Sequence, residues 1–255
     1  MAVYNISFSP TGGTKKVSDI FTNRFCEEST YIDLTRREED FSAYSFHPED
    51  VCIVSVPSYG GRVPAAALSR LCKMKGNKAA AILIVVYGNR AYDDTFAELQ
   101  DTLENSGFSC MAAVAAVAEH SIMRQFAEGR PDAQDEKELA DFADRIIRSK
   151  IDSGAEAGRL ALPGNRPYRE YGGVPMKPTA GKSCISCGLC AKECPVGAIP
   201  LEKPSETDSK ACISCMRCIA VCPKKARSVS KALLAAGSMK LKKACSTRKG
   251  NEVFL

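Results

Sequence analysis

Val3-Tyr4-Asn5-Ile6-Ser7-Phe8-Ser9-Pro10-Thr11-Gly12-Gly13-Thr14-Lys15 begins as an apolar run and breaks into a turn rich in hydroxyls and glycine. The run reads as a strand. A helix is predicted to follow over 14–27, because Val17, Ile20, Phe21 and Phe25 fall on one face. The same unit recurs to residue 152, with strands expected over 31–34, 51–56, 79–87 and 108–117 and helices over 65–72, 93–105 and 135–151. The runs over 51–56 and 79–87 are apolar on both faces, as strands covered on two sides require. Five strands joined by helical crossovers predict an α/β fold with a doubly wound, five-stranded parallel sheet and right-handed connections.

Beyond residue 153 the texture changes. Pro163, Pro167, Pro175 and Pro178 alternate with Gly154, Gly158, Gly164, Gly172 and Gly173, which reads as an extended linker, with Tyr168 and Tyr171 as candidates to pin it. The expected organisation is a first domain over 1–153, a linker over 154–181, a cysteine-rich module over 182–228, and a basic helix with a polar tail over 229–255.

Thirteen cysteines occur in the chain, and eight of them lie between 184 and 222. Cys184, Cys187, Cys190 and Cys194 precede Pro195 with the spacing C-x2-C-x2-C-x3-C-P, and Cys212, Cys215, Cys218 and Cys222 repeat it before Pro223. Three thiolates in steps of three converge on one face of an iron–sulfur cube, while a fourth reaches a second cube. Zinc and disulfides are the alternatives, although structural zinc pairs two well-separated knuckles. An odd cysteine total in a chain with no export signal at its start favours metal over disulfides. The remaining cysteines (Cys26, Cys52, Cys72, Cys110, Cys245) read as buried small apolar residues.

Three loops follow expected strands on the edge where open α/β sheets bind ligands. Ser9, Thr11, Gly12, Gly13 and Thr14 offer hydroxyls and exposed amides at a helix start, a setting suited to phosphate. The loop is neither a P-loop nor a G-x-G-x-x-G dinucleotide fingerprint. Pro57-Ser58-Tyr59-Gly60-Gly61-Arg62 and Tyr87-Gly88-Asn89-Arg90-Ala91-Tyr92-Asp93 follow the third and fourth strands, and His120 ends the fifth.

The cysteine module resembles bacterial two-cluster ferredoxins. Carried over by position, that resemblance assigns Cys184, Cys187, Cys190 and Cys222 to one [4Fe–4S] cluster and Cys212, Cys215, Cys218 and Cys194 to the other. The first loop resembles the flavodoxin phosphate loop, [T/S]-x-T-G-x-T, which implies a flavodoxin-like fold and bound FMN. On that footing Ser9, Thr11, Gly12, Gly13 and Thr14 hold the phosphate. Tyr59 and Tyr92 become candidate stacking groups. Pro57, Ser58, Gly60, Gly61, Tyr87, Gly88, Asn89 and Asp93 supply close backbone and polar contacts; Arg62 and Arg90 either stabilise an anionic reduced flavin or sit on the surface, and His120 either donates to the flavin or a substrate or is a surface histidine at the strand end. With the bridge Leu162-Pro163-Gly164-Asn165-Arg166-Pro167-Tyr168, the whole chain resembles the fused flavodoxin–ferredoxin proteins of anaerobic bacteria and archaea.

Composition narrows the function classes. With 45 % apolar and 25 % charged residues the chain is an ordinary globular one, without a membrane-length apolar run or a signal peptide. A cytoplasmic location is the expectation. Residues 1–153 carry net −6 and the rest +11. The basic half contains no interleaved aromatic platform for nucleic acid; cluster charge or an acidic redox partner is the better reason for it. The expected function is electron transfer between two [4Fe–4S] clusters and FMN, interconverting one-electron and two-electron equivalents in either direction. Expected partners are soluble redox proteins, a ferredoxin-type donor or a flavoenzyme acceptor, with no nucleic acid and no membrane, and with a homodimer allowed. A flavin-dependent reductase of a small molecule and an electron-wire subunit of a larger complex are the alternatives.

Overall fold

Strands β1 (Val3–Ser7), β2 (Thr30–Asp33), β3 (Val51–Pro57), β4 (Ala80–Tyr87) and β5 (Ser109–Val117) form a parallel sheet in the order β2-β1-β3-β4-β5. The computed structural model describes residues 1–151 and 158–255. The expected boundary between the first domain and the linker, at 153/154, lies outside the described residues.

This strand order is that of the flavodoxin-like doubly wound fold, with its reversal between β1 and β3. Helices α1 (Gly13–Phe25), α2 (Ala65–Leu71), α3 (Thr95–Asn105) and α4 (Ala133–Ile146) cover the two faces. The apolar runs explain this layering. Ile53, Ile82, Ile84 and Val114 bury toward α1 and α4, while Val54, Leu83, Val85 and Ala113 bury toward α2 and α3. Each fully buried branched side chain contributes roughly 1.5–3 kcal/mol, so covering both faces stabilises the central strands far more than their hydrogen bonds alone.

A sixth strand joins this sheet. β8 (Glu252–Phe254) pairs antiparallel with β5, with Val114 opposite Val253. The sequence reading takes this segment as a polar tail, because three residues are too few to show a period. Phe254 places its ring edge-on to Phe96, with centroids 5.3 Å apart.

Between β5 and β8 in the chain lies the cysteine-rich module, with a two-stranded ribbon of β6 (Thr179–Ala180) and β7 (Arg227–Ser228) and two short helices, α5 (Leu189–Lys192) and α6 (Arg217–Ala220). Helix α7 (Lys231–Cys245) then leads back to the first domain. Linker residues 159–169 run along α3. Arg166 and Arg159 pair with Asp101 at 2.7 and 2.6 Å, and Asp94 accepts the amides of Asn165 and Arg169 at 2.8 and 2.7 Å. Tyr168 donates to Asp101. Opposite charges from the acidic and basic halves therefore meet inside one molecule.

Candidate functional site

Pairing continues just past the strand ends: Phe8 N–H donates to Ser55 O, Ser58 N–H to Val86 O and Ala118 N–H to Tyr87 O, at 3.0, 2.8 and 3.1 Å. Loops after β1, β3, β4 and β5 therefore leave side by side, at the reversal point of the strand order. They surround a cavity of about 510 Å³, within the range of roughly 300–1,000 Å³ found for small-molecule sites.

The cavity gathers most of the sequence-predicted residues. Thr11, Gly13 and Thr14 line it from the first loop, and Pro57, Ser58, Tyr59 and Gly60 from the second. Tyr87, Gly88, Arg90 and His120 complete that side. Ser9 and Gly12 face an adjoining hollow of about 360 Å³. At Gly12 (φ +92°) an added Cβ would meet nothing within 4 Å, so the loop opens onto empty space. Ser9 Oγ accepts the Lys15 amide at 2.8 Å and so shapes the turn.

Five other predicted residues, Gly61 among them, are placed elsewhere. Asn89 is buried; its amide donates to the carbonyls of Cys245 and Thr247, both at 2.8 Å, and its oxygen accepts the Lys249 amide at 3.1 Å. Tyr92 lies edge-on to Tyr87 and Phe96 and donates to Glu252 at 3.1 Å, so β8 holds it off the cavity. Asp93 pairs with Arg90 and, at 2.6 Å, with Arg169, and it crowds Gly61. Arg62 is also engaged away from the cavity, pairing with Glu98 and donating to Arg169 O at 2.6 Å.

Two glycines are needed for close approach. A Cβ on Gly60 (φ +61°) would sit 2.2 Å from the Tyr171 ring, and one on Gly88 would sit 2.7 Å from His120. Tyr59 and Arg62 close the turn through reciprocal backbone bonds of 2.9 and 3.2 Å. Burial, with smaller effects from Cys215 and Tyr171, pushes the Tyr59 hydroxyl well above its ordinary pKa, so it is a neutral donor. His120 accepts the amides of Ile122 and Met123 on Nδ1, at 3.1 and 3.2 Å. Its proton therefore sits on Nε2. Burial, and then the charge of Arg90, lower its pKa, fixing a neutral ring that can only donate from Nε2.

The sequence reading missed the roof of this cavity. Leu233, Ala236, Gly237, Lys240 and Leu241 of α7 line it, with Tyr171 and Met176 of the linker. The signal is present as i, i+3, i+4, i+7, i+8 spacing, but the lysines around it make the helix read as basic.

The cysteines fall into two quartets. Cys184, Cys187, Cys190 and Cys222 line one small void, and Cys194, Cys212, Cys215 and Cys218 line another. Ser186, Gly188, Ser214 and Met216 take left-handed backbone angles at matching positions of the two repeats, curling each loop around its void. Amides of Ala198, Ser214 and Ala226 donate to the sulfurs of Cys194, Cys212 and Cys222 at 3.3, 3.4 and 3.2 Å. Such donors tune a cluster's potential. Burial pushes the thiols of Cys215 and Cys218 up to about 12 and about 11, so it takes a metal's charge to hold them as thiolates. Among the described residues no three His, Cys, Asp or Glu side chains meet at a single-ion site. A cube takes one thiolate per iron, so its ligands ring a void, which is the arrangement present.

The second quartet abuts the flavodoxin-like domain. Ile213 lines both its void and the large cavity. Lys177 donates to Cys212 O at 2.5 Å, and Arg70 of α2 donates to Pro195 O at 2.5 Å. The first quartet faces outward, where Ile185 is 58 % and Leu201 55 % exposed beside the exposed Cys187.

Residues 183–226 match the family described as a 4Fe-4S dicluster domain, and this module carries two [4Fe–4S] clusters. No curated protein sequence matches the chain. Among solved structures, the chain is similar to the Streptococcus pneumonia TIGR4 flavodoxin (17 % identity, 58 % of this chain and 99 % of that one, TM-score 0.42). It is also similar to the rubredoxin oxygen:oxidoreductase of the anaerobe Desulfovibrio gigas (14 % identity, 61 % and 37 %, TM-score 0.42) and to an azoreductase from Bacillus anthracis str. Sterne (11 % identity, 57 % and 100 %, TM-score 0.40). At these identities and scores the resemblances carry no function to this chain, and the fold assignment rests on its own strand order.

Proposed function

We propose that this chain carries electrons between two [4Fe–4S] clusters and a bound FMN, and so converts one-electron into two-electron equivalents for soluble redox partners. The observation that carries the reading is the shared wall: Ile213 lines both the void of the second cysteine quartet and the large cavity. On this reading Cys184, Cys187, Cys190 and Cys222 hold the outward cluster, and Cys194, Cys212, Cys215 and Cys218 hold the inward one. The route then runs from the molecular surface to the outward cluster, the inward cluster and the cavity, within one chain.

The cavity's residues fit FMN. The open Gly12 loop with the hydroxyls of Thr11 and Thr14 suits the phosphate, and Tyr59 lines the cavity as the candidate aromatic partner for the ring. His120 offers Nε2–H to a ring acceptor. Gly60 and Gly88 let Tyr171 and His120 pack tightly against the loop backbone at the cavity wall. FMN when bound supplies one- or two-electron redox chemistry. The protein's own contribution is orientation and exclusion of water: Met176 and the α7 face Leu233, Gly237 and Leu241 close the cavity above those loops.

At the outward cluster, exposed Ile185, Leu189 and Leu201 lie in a module whose surface carries Lys224 and Lys225. This combination suits an acidic redox partner. The reading is tested by metal and flavin analysis with an anaerobic reductive titration. Two clusters and one FMN per chain, all reducible, are expected; a cluster-loaded chain that neither contains nor takes up flavin would contradict it.

A further inference from the structure

We infer that Arg217, a side chain of the cysteine module, belongs to the binding site for the flavin's phosphate, so that docking of this module and retention of the flavin are coupled. The inference rests on the FMN reading and extends it to a residue outside the flavodoxin-like domain.

Arg217 opens α6, between Cys215 and Cys218 of the inward quartet. Its side chain crosses to the other domain. Nη1 donates to Pro10 O at 3.4 Å, inside the first loop, and Nη2 pairs with Glu193. Its Nε is buried and has no hydrogen-bond partner among the described residues. Arg217 borders both the void of the inward quartet and the 360 Å³ hollow that Ser9, Thr11 and Gly12 line.

Two cations, Arg217 and Lys15, and one carboxylate, Asp33, line that hollow, and each cation has an acid partner that a bound anion would compete with. Asp33 is already engaged by the amide and hydroxyl of Thr35 at 2.8 and 2.7 Å. Lys15 pairs with Asp19 at 2.5 Å and lies 4.6 Å above the Tyr31 ring, at the edge of the same hollow. Glu193 is the competing acid on Arg217 itself. A phosphate monoester held by the Gly12 loop would meet the amides of Gly13 and Thr14, which lack intrahelical acceptors, the Lys15 amide being held by Ser9 Oγ. It would also meet a guanidinium whose planar fork suits phosphate oxygens. Riboflavin, which lacks the phosphate, would gain nothing from Arg217.

The test uses the full chain with clusters intact and flavin removed, titrated with FMN and separately with riboflavin. Arg217→Ala is expected to raise the Kd for FMN about tenfold or more, about 1.4 kcal/mol, and to leave riboflavin within about twofold of wild type. Arg217→Lys should recover part of the FMN affinity, and Glu193→Gln should bind FMN at least as tightly as wild type. Cluster absorbance reports whether each variant remains folded. Equal weakening of both flavins by Arg217→Ala, or no weakening of either, would overturn the assignment while leaving the FMN reading intact. A wild-type chain that binds neither flavin would bring down both.

Discussion

His120 and Asp135 show how single side chains hold this rim. His120 spends its Nδ1 lone pair on two backbone amides, and burial keeps its pKa below the ordinary 6.5. The folded state therefore prefers the neutral ring. The stability this adds is full above pH 6.5 and declines as pH falls toward the lowered folded value, with a slope of at most about 1.4 kcal/mol per pH unit. Thermal melts between pH 7 and 5 should fall more steeply for wild type than for His120→Asn, whose amide oxygen can still accept; parallel curves would contradict this. Asp135 is fully buried against Arg130 and also accepts from Asn251 and the Asp132 amide, each at 2.9 Å. Asp135→Ala would leave the Arg130 guanidinium buried without its charge partner. A cost of about 3–5 kcal/mol is expected in denaturant unfolding, and a value under about 1 kcal/mol would show that the pair contributes little.

At the scale of elements, the C-terminal segment is the unexpected part. β8 covers the edge of β5, Asn251 accepts the Val117 amide at 2.9 Å, and Asn89 ties down the end of α7. Removing residues 246–255 uncovers an apolar strand edge and frees the cavity roof. The truncated chain should bind FMN more weakly and associate at low micromolar concentration, by flavin fluorescence and gel filtration; an unchanged monomer with unchanged affinity would show the tail to be dispensable. The parallel strands were legible because an unbroken apolar run bounded by turn residues fits a strand covered on both faces and little else. The tail strand was not, since Glu252-Val253-Phe254 is too short to reveal a period. The contacts of Tyr92 were hidden for a related reason: its partners Tyr87, Phe96 and Glu252 are brought to it only by the folded sheet. The α7 face was written in the sequence but overshadowed by Lys240, Lys242 and Lys243.

Across the whole molecule, the acidic first domain and the basic remainder neutralise each other where they touch. Arg159, Arg166 and Arg169 of the linker and Arg248 of the tail pair with Asp101, Asp93 and Asp132. Four of the basic side chains beyond residue 153 are therefore paired internally, while Lys224 and Lys225 beside the outward quartet stay exposed. Ile185→Glu combined with Lys224→Glu should slow reduction by an acidic protein donor at least about tenfold while leaving reduction by dithionite unchanged. Equal slowing of both would mean a damaged cluster and no docking effect. The central claim, that electrons pass from cluster to flavin inside one chain, is tested most directly by pulse reduction of the clusters at several protein concentrations. The account predicts that flavin absorbance changes after cluster bleaching, with a first-order rate constant independent of protein concentration. A rate that rises in proportion to concentration would place the transfer between chains and contradict it.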